Sequence, residues 1–155
     1  MAASAYEYAL NLLTARSYSI RNLRRKLVQK EYPSEQVNAV IERLIANGLL
    51  NDDRYAEQFV RGRLLGPGAS RLRLKQQLYQ RGIKGDVAES AIARVMADEP
   101  VDVEAMVLRA ARKKIASMGD LEPLVVRRRL YAHLARAGYN PDEIRSAMKK
   151  ALEPE

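Results

Sequence analysis

One pattern of apolar and acidic residues occurs three times along this 155-residue chain, and it has no gaps within any copy. In each copy two leucines stand four residues apart, an apolar residue follows five positions later, and an acidic residue comes three positions after that. Two further apolar residues close the pattern. The copies begin at Leu23, Leu74 and Leu130. Leucines four apart share one face of an α-helix, and the acidic residue favours the start of a second helix. Such a period predicts a tandem array of small helical units.

Capping and stop residues predict nine helices. Ser4 and Glu7 have the spacing of a capping box. Further N-caps are expected at Ser19, Ser34, Asn51, Ser70 and Asn140, and helix stops at Gly48, Gly66, Gly82, Gly119 and Gly138. The predicted helices cover residues 4–16, 19–31, 34–47, 51–65, 70–81, 85–97, 100–117, 121–137 and 141–152.

The expected fold is therefore all-α, an elongated solenoid of three tandem three-helix repeats. The repeats are predicted at residues 1–48, 49–97 and 98–155. A unit of about 50 residues buries little surface alone, so the units are expected to stack on their neighbours. One compact bundle is the alternative, but the similar offsets and short connectors favour the stack.

Composition excludes several classes of function. The chain has no Cys, which excludes disulfides, thiolate zinc sites and Cys nucleophiles and fits a cytoplasmic location. No apolar run is long enough for a transmembrane helix or a signal peptide. His133 is the only histidine, and Asp52 and Asp53 are interpreted as charges at a helix start. No nucleophile–base set, metal site or cofactor motif is found, so the chain is expected to be no enzyme and to need no cofactor.

Positive charge is concentrated on the middle helix of each predicted repeat. The formal net charge is +8, and no acidic residue interrupts residues 20–30 or 71–81. Equivalent helices of stacked units tend to line one side, so these helices are expected to form a discontinuous cationic stripe facing one partner. Arg suits phosphate or carboxylate contacts. A merely solvated face is the alternative, and three aligned clusters disfavour it.

Several segments resemble the RecX regulatory proteins along nearly the whole chain. Residues 16–27, with the sequence RSYSIRNLRRKL, resemble the opening motif of that family, and residues 48–60, GLLNDDRYAEQFV, resemble its central signature. Residues 66–83 and 134–139 are similar to the later blocks. The sequence departs from the family at Asn22, where an acidic residue is expected, and at Glu31, where Gly is common.

The resemblance implies a bacterial cytoplasmic modulator of the RecA recombinase with three tandem three-helix repeats. Such a protein is expected to bind the groove of the RecA–DNA filament as a monomer, to block its extension or promote its disassembly, and to inhibit strand exchange, ATPase and co-protease activities. The expected context is homologous recombination, DNA repair and the SOS response, and a stand-alone helical DNA-binding protein is the alternative. The residues expected to face the filament or DNA are Arg24, Arg25, Lys26, Arg71, Arg73, Lys75, Arg81, Arg127, Arg128 and Arg129.

Overall fold

The computed structural model describes residues 3–65 and 68–153, and within them the regular structure is nine α-helices. The helices are α1 (Ala5–Ala15), α2 (Ile20–Gln29), α3 (Ser34–Ala46), α4 (Asp52–Leu65), α5 (Arg71–Gln80), α6 (Gly85–Asp98), α7 (Val103–Met118), α8 (Pro123–Arg136) and α9 (Pro141–Leu152). Each predicted helix is found, and the close helix pairs lie within the groups α1–α3, α4–α6 and α7–α9. The all-α fold of three tandem three-helix repeats is confirmed, and we call these groups the first, second and third repeats.

Most predicted caps are correct. The Ser4–Glu7 capping box forms, and a second capping box joins Asn140 and Glu143. Ser19, Ser70 and Asn51 each accept a hydrogen bond from the backbone three residues on. The predicted cap at Ser34 is wrong, because Ser34 is the first helical residue and Pro33 holds the cap position without a side-chain bond. The predicted stop at Gly66 lies outside the described residues.

The repeated leucines form the core, as their spacing requires. Leu23, Leu27, Leu74, Leu78, Leu130 and Leu134 all have no exposed surface. The buried side chains of the first repeat form one cluster, whereas those of the second and third repeats form a single cluster that crosses between the two. The first repeat is therefore joined to the second without a shared buried core.

Serine caps join the middle helices α2, α5 and α8 through their ends. Ser19, the N-cap of α2, donates its hydroxyl hydrogen bond to the carbonyl of Arg81 at the end of α5, at 2.6 Å. Ser70, the N-cap of α5, donates to the carbonyl of Ala137 at the end of α8, at 2.8 Å. Both serines are buried. Each serine thus satisfies its own helix start and the end of the neighbouring helix at the same time.

The middle helices lack acidic residues in their first turns. The other six helices each carry at least one acidic residue there, but α2, α5 and α8 carry none. At the starts of α2 and α5 the carbonyl end of the next middle helix supplies partial negative charge, and at the start of α2 the carboxylate of Asp52 does so too.

Glycines make room for the two junctions. Gly82 follows α5 with φ +84°, and a Cβ on it would lie 2.6 Å from the side chain of Arg21. Gly138 follows α8 with φ +94°, and a Cβ on it would lie 2.4 Å from the Ser70 hydroxyl. Both positions thus require a left-handed backbone and the absence of a side chain.

Glu31 occupies the equivalent position after α2. It is the one non-glycine residue with positive φ among the described residues, at +67°. The Glu31 side chain is exposed, so the cost of this conformation lies in the backbone.

Replacing Glu31 by Gly is expected to stabilise the first repeat. Relief of the left-handed strain, about 1–2 kcal/mol, outweighs the greater freedom of Gly in the unfolded chain, so a net gain of about 0.5–1 kcal/mol is expected. Urea unfolding of E31G and of E35G, a change within helix α3, measures it. Glu35 lies in the first turn of α3, so E35G should destabilise. A loss of stability in E31G would contradict the conclusion that the backbone of Glu31 is strained.

Candidate cationic interface

The middle helices carry the densest unbalanced charge in the structure. Within their bounds α2, α5 and α8 hold four, three and four Lys or Arg residues and no Asp or Glu. They adjoin one another through the two serine junctions, and their combined helical rise is about 50 Å. The fold therefore places three cationic segments in sequence along the molecule.

Four of the ten predicted interface residues lie on the side of the middle helix that faces the third helix of its own repeat, namely Arg24, Arg71, Lys75 and Arg127. Arg24 donates to the Asn38 side chain in α3 at 2.6 Å. Lys75 forms an ion pair with Glu89 in α6 at 2.5 Å. The hydrogen bond from Lys75 holds the pKa of Glu89 below its usual value, and the charges of Lys75 and Arg71 lower it further. Arg127 lines a groove between α8 and α9.

Three other predicted interface residues lie on the side of the middle helices that is opposite to the third helix of the repeat. Arg73 lines a cleft between the second and third repeats. Arg129 stands four residues before His133, which lines the same cleft, so the two share a helix face. Lys26 occupies the repeat position of Gln77 and His133.

Two members point away from the core. Arg25 lies two residues from both Leu23 and Leu27 and is exposed, as expected for the helix face opposite the buried leucines. Arg128 is also exposed and stands two residues before the buried Leu130. The expected stripe is therefore broader than a single edge, because α2 and α8 carry cations on three sides and α5 carries them on two.

Arg81 has a structural contact that the sequence did not reveal. Its guanidinium lies 4.4 Å from the ring centroid of Phe59 and donates to the carbonyl of Gln77. Its own carbonyl accepts the hydrogen bond from Ser19. Arg81 thus stabilises the junction between the first and second repeats, with its guanidinium half-buried.

Most of the predicted interface charge is uncompensated. Across residues 3–65 and 68–153 the ion pairs use Arg61, Lys75, Arg94, Arg145 and Lys150, so Lys75 is the one predicted interface residue among them. The other nine make no ion pair with a carboxylate in that part of the chain. A cation without an internal partner keeps its full charge for a polyanion or an acidic surface.

Asp52 has a role that its position at a helix start did not predict. Its carboxylate accepts the backbone N–H of Ile20 at 2.9 Å and so joins the start of α4 to the start of α2. Burial raises the pKa of Asp52, although the hydrogen bond from Ile20 acts in the opposite direction. The carboxylate is therefore a further link between the first and second repeats.

The structure is thus that of an all-α repeat protein whose cationic middle helices adjoin one another end to end. None of the helices in the described part of the chain has the length and apolar character needed to cross a bilayer. Comparison with known families gives three consecutive matches: residues 5–44 to the first three-helix domain of RecX, residues 51–92 to the second and residues 102–148 to the third.

Individual relatives and a solved structure point to the same family as these three matches. The chain is 33% identical over 153 residues to the regulatory protein RecX of Pelodictyon phaeoclathratiforme, an alignment that covers 99% of this chain and 92% of the relative. It is 38% identical over 141 residues to the regulatory protein RecX of Mycobacterium sp. strain KMS, covering 88% and 75% of the two chains. The crystal structure of RecX from Lactobacillus salivarius superposes with a TM-score of 0.74 at 23% identity, covering 95% and 94% of the two chains. The chain belongs to the RecX family.

Proposed function

We propose that this chain is a non-enzymatic regulator of the RecA recombinase that acts by binding the RecA–DNA filament. The relatives are named regulatory protein RecX, and the family resemblance implies RecA as the target. The observation that supports the proposal most is the end-to-end contact of three middle helices whose cations have few internal partners. The protein is proposed to act as a cytoplasmic monomer.

The proposed mechanism depends on linked weak contacts. An array of three cationic helices meets several successive binding positions along a filament, and each exposed contact alone contributes little. Because the repeats are joined, the first contact raises the effective concentration of the others. Occupation of the groove in this way blocks filament extension or favours disassembly, and recombinase, ATPase and co-protease activities fall together.

The ten residues Arg24, Arg25, Lys26, Arg71, Arg73, Lys75, Arg81, Arg127, Arg128 and Arg129 are proposed as the contact set. Within it, exposed cations without internal partners are the stronger candidates, and Arg128 and Arg129 are the clearest pair. Lys75 and Arg81 are proposed as weaker contributors, because Lys75 is paired with Glu89 and Arg81 stacks on Phe59.

The double variant R128Q/R129Q is expected to weaken binding to RecA-coated single-stranded DNA about tenfold and to reduce the salt dependence of that binding. Fluorescence anisotropy at several salt concentrations measures both quantities, on coated and on bare DNA. The matched control is K84Q/R112Q, which removes two exposed charges outside the middle helices.

Two results would oppose the proposal. If bare DNA is bound as tightly as the coated strand, the chain is a stand-alone DNA-binding protein. If K84Q/R112Q weakens binding as much as R128Q/R129Q, total charge and not the middle helices determines affinity.

A further inference from the structure

A half-open cleft lies between the second and third repeats, and its charged lining is entirely basic. Its volume is about 350 Å³, and its walls come from α4, α5, α7 and α8. Arg63, Arg73, Lys113 and Lys114 line it together with His133, and no Asp or Glu is among the described residues that do so. None of the four permanent cations pairs with a carboxylate in the described residues.

A second cleft lies between the first and second repeats, and residues of the middle helices are not among its described lining. That cleft includes Ser17 and Tyr18, directly before the N-cap Ser19, as the charged cleft includes Gly68 and Ala69 directly before the N-cap Ser70. Arg54 is its one charged lining residue among those described. Among the described residues the cleft between the first and second repeats is thus lined by one permanent cation, and the charged cleft by four.

His133 lines the charged cleft, and its pKa is lowered. Burial lowers the pKa of His133, and the positive charges of Lys114 and Arg136 lower it further. Arg63 on α4, Arg73 on α5 and Lys113 on α7 line the same cleft as His133, and no carboxylate is among the described residues of the lining. An anion in the cleft would relieve this repulsion.

Gln77 adds an uncharged polar group to the lining of the charged cleft. Its carboxamide oxygen is buried and has no hydrogen-bond partner among the described residues. A buried amide oxygen without a partner costs free energy, which a ligand hydroxyl or amine that donates to it would recover.

We propose that this cleft binds the phosphate group of a nucleotide unit, either free or within a DNA strand. Guanidinium and ammonium groups both bind phosphate, and a guanidinium binds two of its oxygens at once. The volume exceeds that of a phosphate alone and lies in the range of small-molecule sites. The sugar and base would then lie near Gln77. The site rests in part on the proposed function, because Arg73 belongs to its contact set, but binding at this cleft requires neither RecA nor a filament.

His133, the only histidine of the chain, allows a direct test on the isolated protein by proton NMR. Thymidine 5′-monophosphate at millimolar concentration and constant ionic strength is expected to raise the pKa of His133 by about one pH unit, because an anion stabilises the imidazolium. Thymidine, which lacks the phosphate, should leave it unchanged. An oligothymidine without terminal phosphate separates the sources. A rise in the His133 pKa with this strand shows that the cleft accepts a phosphate within DNA, and no rise limits the site to the free nucleotide.

Variants locate the effect. R73Q/K113Q should reduce the rise at least severalfold, whereas R112Q, a neighbouring change on α7 outside the cleft lining, should retain it. The proposal is overturned if neither the monophosphate nor the oligonucleotide moves the His133 pKa, or if R73Q/K113Q responds like the wild type. Circular dichroism of each variant confirms that the helices are intact.

Discussion

Replacing Gly138 by Ala is expected to lower the free energy of unfolding by about 2–4 kcal/mol. The left-handed backbone accounts for about 1–2 kcal/mol of this loss. The rest comes from the added Cβ, which would lie 2.4 Å from the Ser70 hydroxyl and 3.4 Å from the backbone nitrogen of Arg73. Since Ser70 caps α5 and also bonds the end of α8, its displacement removes both hydrogen bonds, and loss of a cap alone costs about 1 kcal/mol.

Two other glycines separate these contributions. Gly48 has φ +74° with nothing within 4 Å of its added Cβ, so G48A should lose the backbone contribution only. Gly62 lies inside α4, also with open space around it, so G62A should gain up to about 1 kcal/mol. Urea unfolding gives all three values. If G138A loses no more than G48A, the junction between α5 and α8 contributes nothing to stability.

Replacing Leu78 by Ala is expected to cost about 2–5 kcal/mol and to loosen the third repeat as well as the second. Leu78 has no exposed surface and belongs to the core cluster that the second and third repeats share. A cavity there removes packing from both repeats. Urea unfolding measures the loss, and amide hydrogen exchange measures protection in α7–α9.

Leu27 provides the matched comparison, because it has the same repeat position but lies in the separate cluster of the first repeat. L27A should reduce amide protection in α1–α3 and leave the third repeat protected, as expected where neighbouring units are coupled only locally. Equal loss of protection in the third repeat for L27A and L78A would contradict the division of the core.

The repeat pattern determined most of the fold in advance, because local rules set it. Leucines four apart identified buried helix faces, and serine, asparagine and glycine marked helix ends, so all nine helices could be predicted. Ser34 failed as a cap because Pro33 occupies the cap position, a displacement of one residue that propensity does not resolve. The division at residues 48/49 and 97/98 stays a prediction.

The contacts between repeats could not be predicted from the same rules. Ser19 and Ser70 were recognised as caps, but their second hydrogen bonds go to carbonyls 62 and 67 residues away. A usable signal was present, since a serine before each of the first two middle helices is matched by a glycine after each of the last two. For the interface, charge density identified the middle helices, but only packing shows that Lys75 and Arg81 have partners within the protein.

ATP hydrolysis by RecA on single-stranded DNA, measured while this protein is added well below the RecA concentration, tests the proposed regulation of the filament. A joined array that blocks extension or promotes disassembly should slow hydrolysis at these low ratios, and R128Q/R129Q should slow it less than K84Q/R112Q does. If hydrolysis falls only when enough protein is present to cover the DNA, the protein does not act on the RecA filament as proposed.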